Sequence, residues 1–182
     1  MITTTLVLKL LYFMIPAYLA NMAPVLGKGK LEFLAVPIDM GRKWKGKPIL
    51  GKNKTWRGII LGVAVSTILF LIQRYLYNFE AFRAVSLIDY STSTVWIGVL
   101  LGLGALAGDA AESFFKRRIG VKPGRPWIPF DQTDFTIGAL LLTSIVYFPG
   151  WTNSVVIVVA SAFGHVLFSL LGYKLKLKKD KL

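Results

Sequence analysis

The chain alternates between long apolar runs and polar segments rich in glycine and lysine. A helix needs about 20 mostly apolar residues to cross the hydrocarbon core of a bilayer. Five apolar runs meet or approach this length, and we expect a membrane-spanning helix in each, at about 5–24, 57–77, 95–115, 133–149 and 153–173. The pattern therefore predicts an all-α integral membrane protein that forms a single domain.

The fourth apolar run is the least regular of the five. Only fourteen residues, Phe135–Phe148, lie between Asp134 and the pair Pro149–Gly150. This proline–glycine pair predicts a tight turn. A run of this length is short for a bilayer crossing. It could extend back through Asp131, have the bilayer thinned around it, or re-enter on the same side. We expect it to cross, because the distribution of basic residues requires it.

The basic residues are concentrated in three segments. The formal net charge is +13, and 19 of the 22 lysines and arginines lie in residues 27–57, 116–125 and 174–182. Five spans would place these three segments on one side of the membrane. The positive-inside rule then predicts an outside N-terminus, a cytoplasmic C-terminus and two long cytoplasmic loops, 27–56 and 120–134. A soluble nucleic-acid-binding protein would explain the charge but not the apolar runs.

Pairs of glycines four residues apart occur on the second and third predicted spans. The pairs are Gly58 with Gly62, Gly98 with Gly102, and Gly104 with Gly108. Glycines at this spacing let the backbones of membrane helices approach closely. We therefore expect these two helices to pack tightly, just before the acids of the third span.

The end of the third span carries charged side chains in a helical spacing. Asp109, Glu112, Ser113 and Lys116 stand at i, i+3, i+4 and i+7, so they share one helix face. Acids at bilayer depth are costly and indicate function. An ion pair between Glu112 and Lys116 would explain Glu112 alone. It would not explain Asp109, which lies one turn deeper.

A second pair of acids, Asp131 and Asp134, repeats the i, i+3 spacing at the start of the fourth run. The helix dipole favours acids there, but capping needs only one of them. Four carboxylates on neighbouring helix ends would repel one another without cations. The chain has no cysteine, so thiolate metal sites, disulfides and cysteine nucleophiles are excluded. Oxygen ligands of this kind suit Mg²⁺ or a similar hard ion.

The end of the first polar loop, Gly51–Gly58, reads GKNKTWRG. Its lysines and arginine are phosphate ligands by chemistry. Ordinary positive-inside signalling would also supply cations here, and Trp56 could simply anchor the helix at the interface. His165 is alone on the last span, so we expect packing or hydrogen bonding of this histidine rather than catalysis.

Two stretches, GDAAESFFKRR and PFDQTDF, resemble the signature of the CDP-diacylglycerol synthase family of integral membrane cytidylyltransferases. In that family an acid–Ser–Lys-Arg helix end precedes a short loop and an Asp-x-x-Asp pair. Bacterial members carry a His-Gly-Gly type loop where this chain has Pro129–Phe130. Three further motifs are similar to the archaeal branch, the CDP-archaeol synthases: Pro16–Leu26, Pro37–Gly41 and Lys54–Gly58.

The resemblance implies a reaction at the cytoplasmic side of the cell membrane. CTP and the lipid phosphate 2,3-bis-O-geranylgeranyl-sn-glycerol 1-phosphate would give the unsaturated CDP-archaeol and pyrophosphate, with Mg²⁺ as cofactor. The lipid phosphate is itself the nucleophile, so no covalent enzyme intermediate is required. The implied partners are CTP, the lipid phosphate and the bilayer, without nucleic acid, and a homodimer is left open.

The resemblance, added to the spacing, assigns a role to each candidate residue. The residues expected to act in catalysis are Asp109, Lys116, Asp131 and Asp134. Those expected to bind the substrates are Asn53, Lys54, Thr55, Arg57, Ser113 and Arg117. Those expected to hold the metal ion are Asp109, Glu112, Asp131 and Asp134.

Three other functions are compatible with parts of the pattern. A CDP-diacylglycerol synthase acting on phosphatidic acid would use the same site, and competing ether and ester lipids would distinguish the two. An ion-binding transporter or channel would need ionisable residues through the whole bilayer depth, whereas here they cluster at one face. A basic scaffold that recruits anionic lipids or RNA would explain the tail but not the four acids.

Overall fold

The computed structural model describes residues 3–27, 29–121 and 125–174. Its helices are α1 (Thr4–Leu26), α2 (Trp56–Leu76), α3 (Glu80–Ala84), α4 (Trp96–Arg118), α5 (Asp134–Thr143) and α6 (Trp151–Lys174). Within the described residues, α1, α2 and α4 are long and apolar enough to cross a membrane, and two apolar helices, α5 and the Trp151–Leu167 part of α6, are shorter. The prediction of a helical membrane protein is confirmed at this level.

Helices α1 and α4 form the centre of the bundle. α1 packs against α2, α4, α5 and α6, while α4 packs against α1, α2 and α5. Their apolar side chains supply most of the core, including Phe13, Met14 and Leu101, each at most 1% exposed. The connection between α2 and α4 adds Tyr90, which is fully buried among the rings of Tyr12 and Phe70.

The glycines of α2 and α4 pack as their spacing predicts. A Cβ atom on Gly62 would lie 2.6 Å from Leu106 Cδ1, and one on Gly102 would lie 2.6 Å from Ser66 Cβ. Both distances are too short for real side-chain contacts. The absence of a Cβ is therefore what lets α2 and α4 approach to this separation.

A second glycine contact, between α4 and α5, brings backbone against backbone. A Cβ on Gly108 would overlap the carbonyl oxygen of Asp134, and one on Gly104 would overlap that of Gly138. Gly138 makes the reciprocal contact with Gly104 and Gly108. This backbone contact sets the start of α5 directly beside the acidic turn of α4.

Helix α5 is shorter than the span expected at 133–149, because it ends at Thr143. The Ser144 hydroxyl donates to the Leu141 carbonyl, and Pro149 disfavours a helical conformation at the residue before it. Ten residues of helix rise about 15 Å, half the thickness of a hydrocarbon core. Residues 144–150 form the rest of the connection to α6.

The first polar loop is more ordered than the sequence indicated. Residues 29–55, which we call the cap, contain a 3-10 turn at Glu32–Leu34 and an antiparallel hairpin of β1 (Lys43–Trp44) and β2 (Lys47–Pro48). Lys45 and Gly46 join the two strands with φ of 49° and 77°. Two successive positive φ values give the primed turn that favours a tight hairpin.

Candidate active site

The cap and one end of the helix bundle enclose a cavity of about 690 Å³. Its walls come from the cap, the last turns of α1 and α4, the start of α5 and the second half of α6. Nine of the eleven residues predicted to function line it: Asn53, Lys54, Asp109, Glu112, Ser113, Lys116, Arg117, Asp131 and Asp134. The structure thus brings together segments that are far apart in the chain.

The four polar residues of α4 face the cavity together. Asp109, Glu112, Ser113 and Lys116 all line it, as their helical spacing predicts. Glu112 and Ser113 are each 7% exposed, so little of either side chain is open to bulk water. Arg117 also reaches the cavity, and its guanidinium donates to the Val121 carbonyl at 2.7 Å.

Three carboxylates converge in the cavity. Oxygen atoms of Asp109, Glu112 and Asp134 all lie within 4.8 Å of one another. The glycine contact between α4 and α5 produces this closeness, because it fixes the Asp134 backbone against Gly108. Three carboxylate oxygens at such separations could hold a metal ion.

Asp131 lies beside these three carboxylates, and both of its oxygens have partners. Its Oδ1 is 2.5 Å from Lys116 Nζ, and its Oδ2 accepts the Trp127 amide at 2.8 Å. Burial alone would raise the pKa of Asp131, but its hydrogen bonds to Glu112, Lys116 and the Trp127 amide hold that pKa below its usual range. The lysine and the Trp127 amide therefore favour the charged form of Asp131.

Two lysines pair with the acids of the cavity. Lys54, from the end of the cap, forms an ion pair with Asp109. Lys116 lies 2.9 Å from Glu112 Oε1 as well as close to Asp131, and its side chain is 11% exposed. These ion pairs offset the repulsion between the carboxylates and so keep the acidic cluster compact.

Thr55 and Arg57 do not line the cavity among the described residues. The Thr55 hydroxyl accepts the Gly58 amide at 3.2 Å and caps the start of α2. Arg57 turns toward the cap, where it contacts Glu32 Oε1 at 2.7 Å and the Lys30 carbonyl at 3.2 Å. Their predicted contacts with the nucleotide stay predictions.

Asp39 lines the cavity and was missed by sequence reasoning. Its carboxylate accepts three backbone amides of the cap: Gly41 at 3.0 Å, Leu50 at 2.8 Å and Gly51 at 3.0 Å. Burial would raise the pKa of Asp39, but these amide hydrogen bonds lower it. An aspartate two residues before a glycine is a signal for such a turn, although its reach to Leu50 is not visible in the sequence.

His165 and Asn21 also line the cavity, from α6 and α1 respectively. We expected packing or hydrogen bonding for His165, and the structure places it within the polar wall. Asn21 lies between Ala20 and Met22, and His165 lies between Gly164 and Val166, so neither has a polar neighbour in the chain. Their neighbours in the cavity lie on other helices, so no local spacing could have identified them.

Comparison with known proteins gives consistent results. A family model described as CarS-like, CDP-archaeol synthase, matches residues 3–181. A CDP-archaeol synthase from Methanospirillum hungatei is 40% identical over 91% of this chain and 98% of its own length. The CDP-archaeol synthase from Pyrococcus furiosus is 35% identical over 94% of this chain and 96% of its own length.

A solved structure shares the fold. It is described as structural insight into an intramembrane enzyme for archaeal membrane lipids biosynthesis, and it matches with a TM-score of 0.70 and 30% identity. The match covers 88% of this chain and 92% of that one. From the family match and the identity to these relatives across nearly their whole length, the chain belongs to the CarS-like family of CDP-archaeol synthases.

Proposed function

We propose that this chain transfers a cytidylyl group from CTP to the archaeal lipid phosphate digeranylgeranylglycerol phosphate, giving CDP-archaeol and pyrophosphate. The observation that carries the proposal is the cavity in which Asp109, Glu112 and Asp134 converge beside Lys54 and Lys116. Nucleotidyl transfer mainly needs positioned phosphates and neutralised charge. This cavity supplies groups for both at the end of a membrane helix bundle.

The reaction needs no nucleophile from the protein. A phosphate oxygen of the lipid attacks the α-phosphorus of CTP, the bond from that phosphorus to the bridging oxygen breaks, and pyrophosphate leaves with the bond's electron pair. The side chains of Lys54, Lys116 and Arg117 hold phosphate oxygens and reduce the repulsion between the two anionic substrates. Asn53 and Ser113 donate hydrogen bonds to the nucleotide.

Asp109, Glu112 and Asp134 would hold Mg²⁺, since their oxygens are the ones that converge. Bound there, the ion would neutralise the triphosphate and the departing pyrophosphate. Asp131 orients Lys116 toward the same place. Its role as a fourth ligand stays a prediction, because both of its oxygens already have partners.

Thr55 and Arg57 support the site from outside the cavity. Thr55 begins α2 directly after Lys54, and so fixes where the Lys54 side chain starts. Arg57 ties α2 to the Lys30–Glu32 part of the cap through an ion pair and a carbonyl contact. We propose that both residues position the cap, in addition to the contacts with the nucleotide that the sequence predicts.

The same proposal includes five crossings of the membrane, with the cap and the cavity in the cytoplasm. Supporting it, Phe135 contacts Tyr18 while Tyr147 contacts Phe13, so the segment 135–147 runs antiparallel to α1 past its middle. A ten-residue α5 can complete this crossing together with the turns that follow it, because the backbone amides of residues 144–147 donate to carbonyls of residues 140–143. The basic cap then faces the cytoplasm.

Replacing Asp134 by Asn tests the proposed metal site. Asp134→Asn removes one anionic ligand with little change of shape, so we expect CTP-dependent pyrophosphate release to fall at least about a hundredfold. The measurement is pyrophosphate release by purified protein with CTP, Mg²⁺ and the ether-lipid phosphate in detergent.

The matched control is Asp89→Asn, which makes the same substitution in the exposed connection between α2 and α4. It should retain wild-type activity. Full activity of Asp134→Asn would contradict the metal assignment. Equal rates with phosphatidic acid and the ether lipid would instead show that the enzyme does not select between the two lipid classes.

A further inference from the structure

Arg118, the last residue of α4, is bonded to the cap rather than to the cavity. Its guanidinium donates to the Trp44 carbonyl at 2.6 Å, to the Lys47 carbonyl at 3.2 Å and to the Pro48 carbonyl. Lys47 Nζ in turn donates to the Arg118 carbonyl at 2.7 Å. Four hydrogen bonds therefore join the β hairpin to the end of α4.

Aromatic rings complete the contact. The Arg118 guanidinium lies 5.5 Å from the centroid of the Trp44 ring and 4.9 Å from that of Phe114. The Trp44 and Phe114 rings stack at 5.5 Å with an interplanar angle of 23°. A planar guanidinium can both stack on rings and present several N–H groups to carbonyls, which a lysine ammonium cannot do.

This contact lies beside the cavity and joins its two walls. More than half of the residues that line the cavity belong to the cap, among them Lys43, Pro48 and Lys52. Arg118 follows directly on Lys116 and Arg117, which line the opposite wall. The contact between the hairpin and the end of α4 therefore joins the two walls, as the ion pair of Lys54 with Asp109 does deeper in the cavity.

We infer that Arg118 is a positioning residue for the nucleotide: it fixes the hairpin of the cap so that the cap's lysines face the phosphates held by α4. This inference rests on the proposed function, in which the cavity binds CTP. The lipid phosphate approaches from the membrane side, so the inference concerns the affinity for CTP and not that for the lipid. Arg118 itself contacts neither substrate.

The test uses Arg118→Lys in the full-length protein in detergent. The variant keeps the positive charge but loses the several N–H donors of the guanidinium and its stacking on the aromatic rings. We expect the dissociation constant of radiolabelled CTP with Mg²⁺ to rise about tenfold, and KM for CTP to rise with it. The value of kcat should stay within about threefold of wild type, because no group that touches the reacting atoms has changed.

A second readout reports the hairpin directly. Trypsin sites at Arg42, Lys43 and Lys45 should be cut faster in Arg118→Lys than in wild type, since the hairpin is no longer held. Arg83→Lys is the matched control: it makes the same substitution at an exposed arginine of α3, outside the cap, which also stacks on a ring and donates to a carbonyl, both of Tyr77. It should change neither CTP affinity nor the cleavage rate.

If Arg118→Lys does not yield folded protein, Trp44→Ala loosens the same contact from the cap side and should give the same two changes. A hairpin that is cut faster with unchanged CTP affinity would overturn the positioning role, as would a loss confined to kcat. Absence of CTP binding by the wild-type protein would overturn the proposed function itself, and is distinguishable because it needs no variant.

Discussion

At the scale of single residues, two lysines of the cavity pair with the same carboxylates that are proposed to bind a metal ion. Lys54 is paired with Asp109, and Lys116 with Glu112 and Asp131. A metal ion that reaches Asp109 without nucleotide must compete with the Lys54 ammonium. In the proposed site, Lys54 would transfer its contact from Asp109 to a phosphate when CTP binds together with the ion. The affinity for the metal ion should consequently be higher when CTP is bound, and the affinity for CTP higher when the metal ion is bound.

Lys54→Met tests this exchange. Without the ammonium, Mn²⁺ alone should bind about tenfold more tightly, because one competing charge at Asp109 is gone. CTP with Mn²⁺ should bind more weakly, because a phosphate ligand is lost. Free Mn²⁺ measured by electron paramagnetic resonance, with and without CTP, gives both affinities.

The control for that measurement is Lys45→Met, which removes a lysine from the exposed hairpin turn. It should leave Mn²⁺ binding unchanged in both conditions. If Lys54→Met and Lys45→Met weaken or strengthen Mn²⁺ binding equally, the effect is one of net charge and the exchange at Asp109 does not occur.

Asp39 gives the cap a dependence on pH. Its pKa is lower in the fold than in the unfolded chain, because three backbone amides donate to the carboxylate. The stabilisation is therefore complete above the unfolded pKa of about 4 and is lost as the pH falls through the lower, folded pKa. Asp39→Asn should destabilise the cap by about 1–3 kcal/mol at neutral pH.

Amide hydrogen exchange of the cap, followed between pH 7 and pH 3 and corrected for the intrinsic pH dependence of exchange, measures this effect. Wild-type protection should decline toward the acidic end, whereas Asp39→Asn should start lower and change less. Parallel profiles for the two proteins would show that Asp39 does not carry the dependence.

At the scale of elements, the contact between α4 and α5 is the one that builds the acidic cluster. Gly108 and Gly138 are required there because any side chain would meet backbone atoms, which cannot rotate away. The substitution Gly138→Ala should push α5 outward, lower thermal stability by about 1–3 kcal/mol and separate Asp134 from Asp109. Mn²⁺ binding and a thermal unfolding curve would report the two effects.

Gly164→Ala in α6 is the matched control, because a Cβ there meets no described atom within 4 Å. It should leave stability and metal binding near wild type, or raise stability slightly by favouring the helix. Equal losses in both variants would mean that helix glycines act through flexibility rather than through the close contact.

The sequence predicted the elements that have a periodic or repeated signal. The apolar runs gave α1, α2 and α4 closely, and the i, i+3, i+4, i+7 spacing gave the polar face of α4. The β hairpin was missed, because strands of two residues have no period and Lys45-Gly46 is a weak turn signal. Contacts between distant segments, such as Arg118 with the cap, leave no local pattern to read.

At the scale of the whole molecule, the side on which the cavity opens can be tested by labelling. The chain has no cysteine, so single cysteines can be introduced without background. In intact cells a membrane-impermeant maleimide should label Ser91→Cys, in the connection between α2 and α4, but not Lys45→Cys in the cap. Lys45→Cys should react only after the membrane is opened.

The reverse pattern would place the cap outside and contradict a cytoplasmic site. Labelling of both positions in intact cells would indicate that the protein is not inserted with a single orientation. Activity of each cysteine variant serves as the check that the labelled protein is folded, since neither position lines the cavity.

Asp109 stands nine residues before the last residue of α4, which corresponds to about 13 Å along the helix axis. Asp109 thus lies well inside the bundle rather than at its end. In the proposed reaction the lipid keeps its chains within the bilayer, whereas the water-soluble nucleotide has to move into the cavity from its open end. Changing the size of the lipid headgroups around the protein should therefore alter the rate at which CTP enters the cavity more than the rate at which the lipid phosphate enters it.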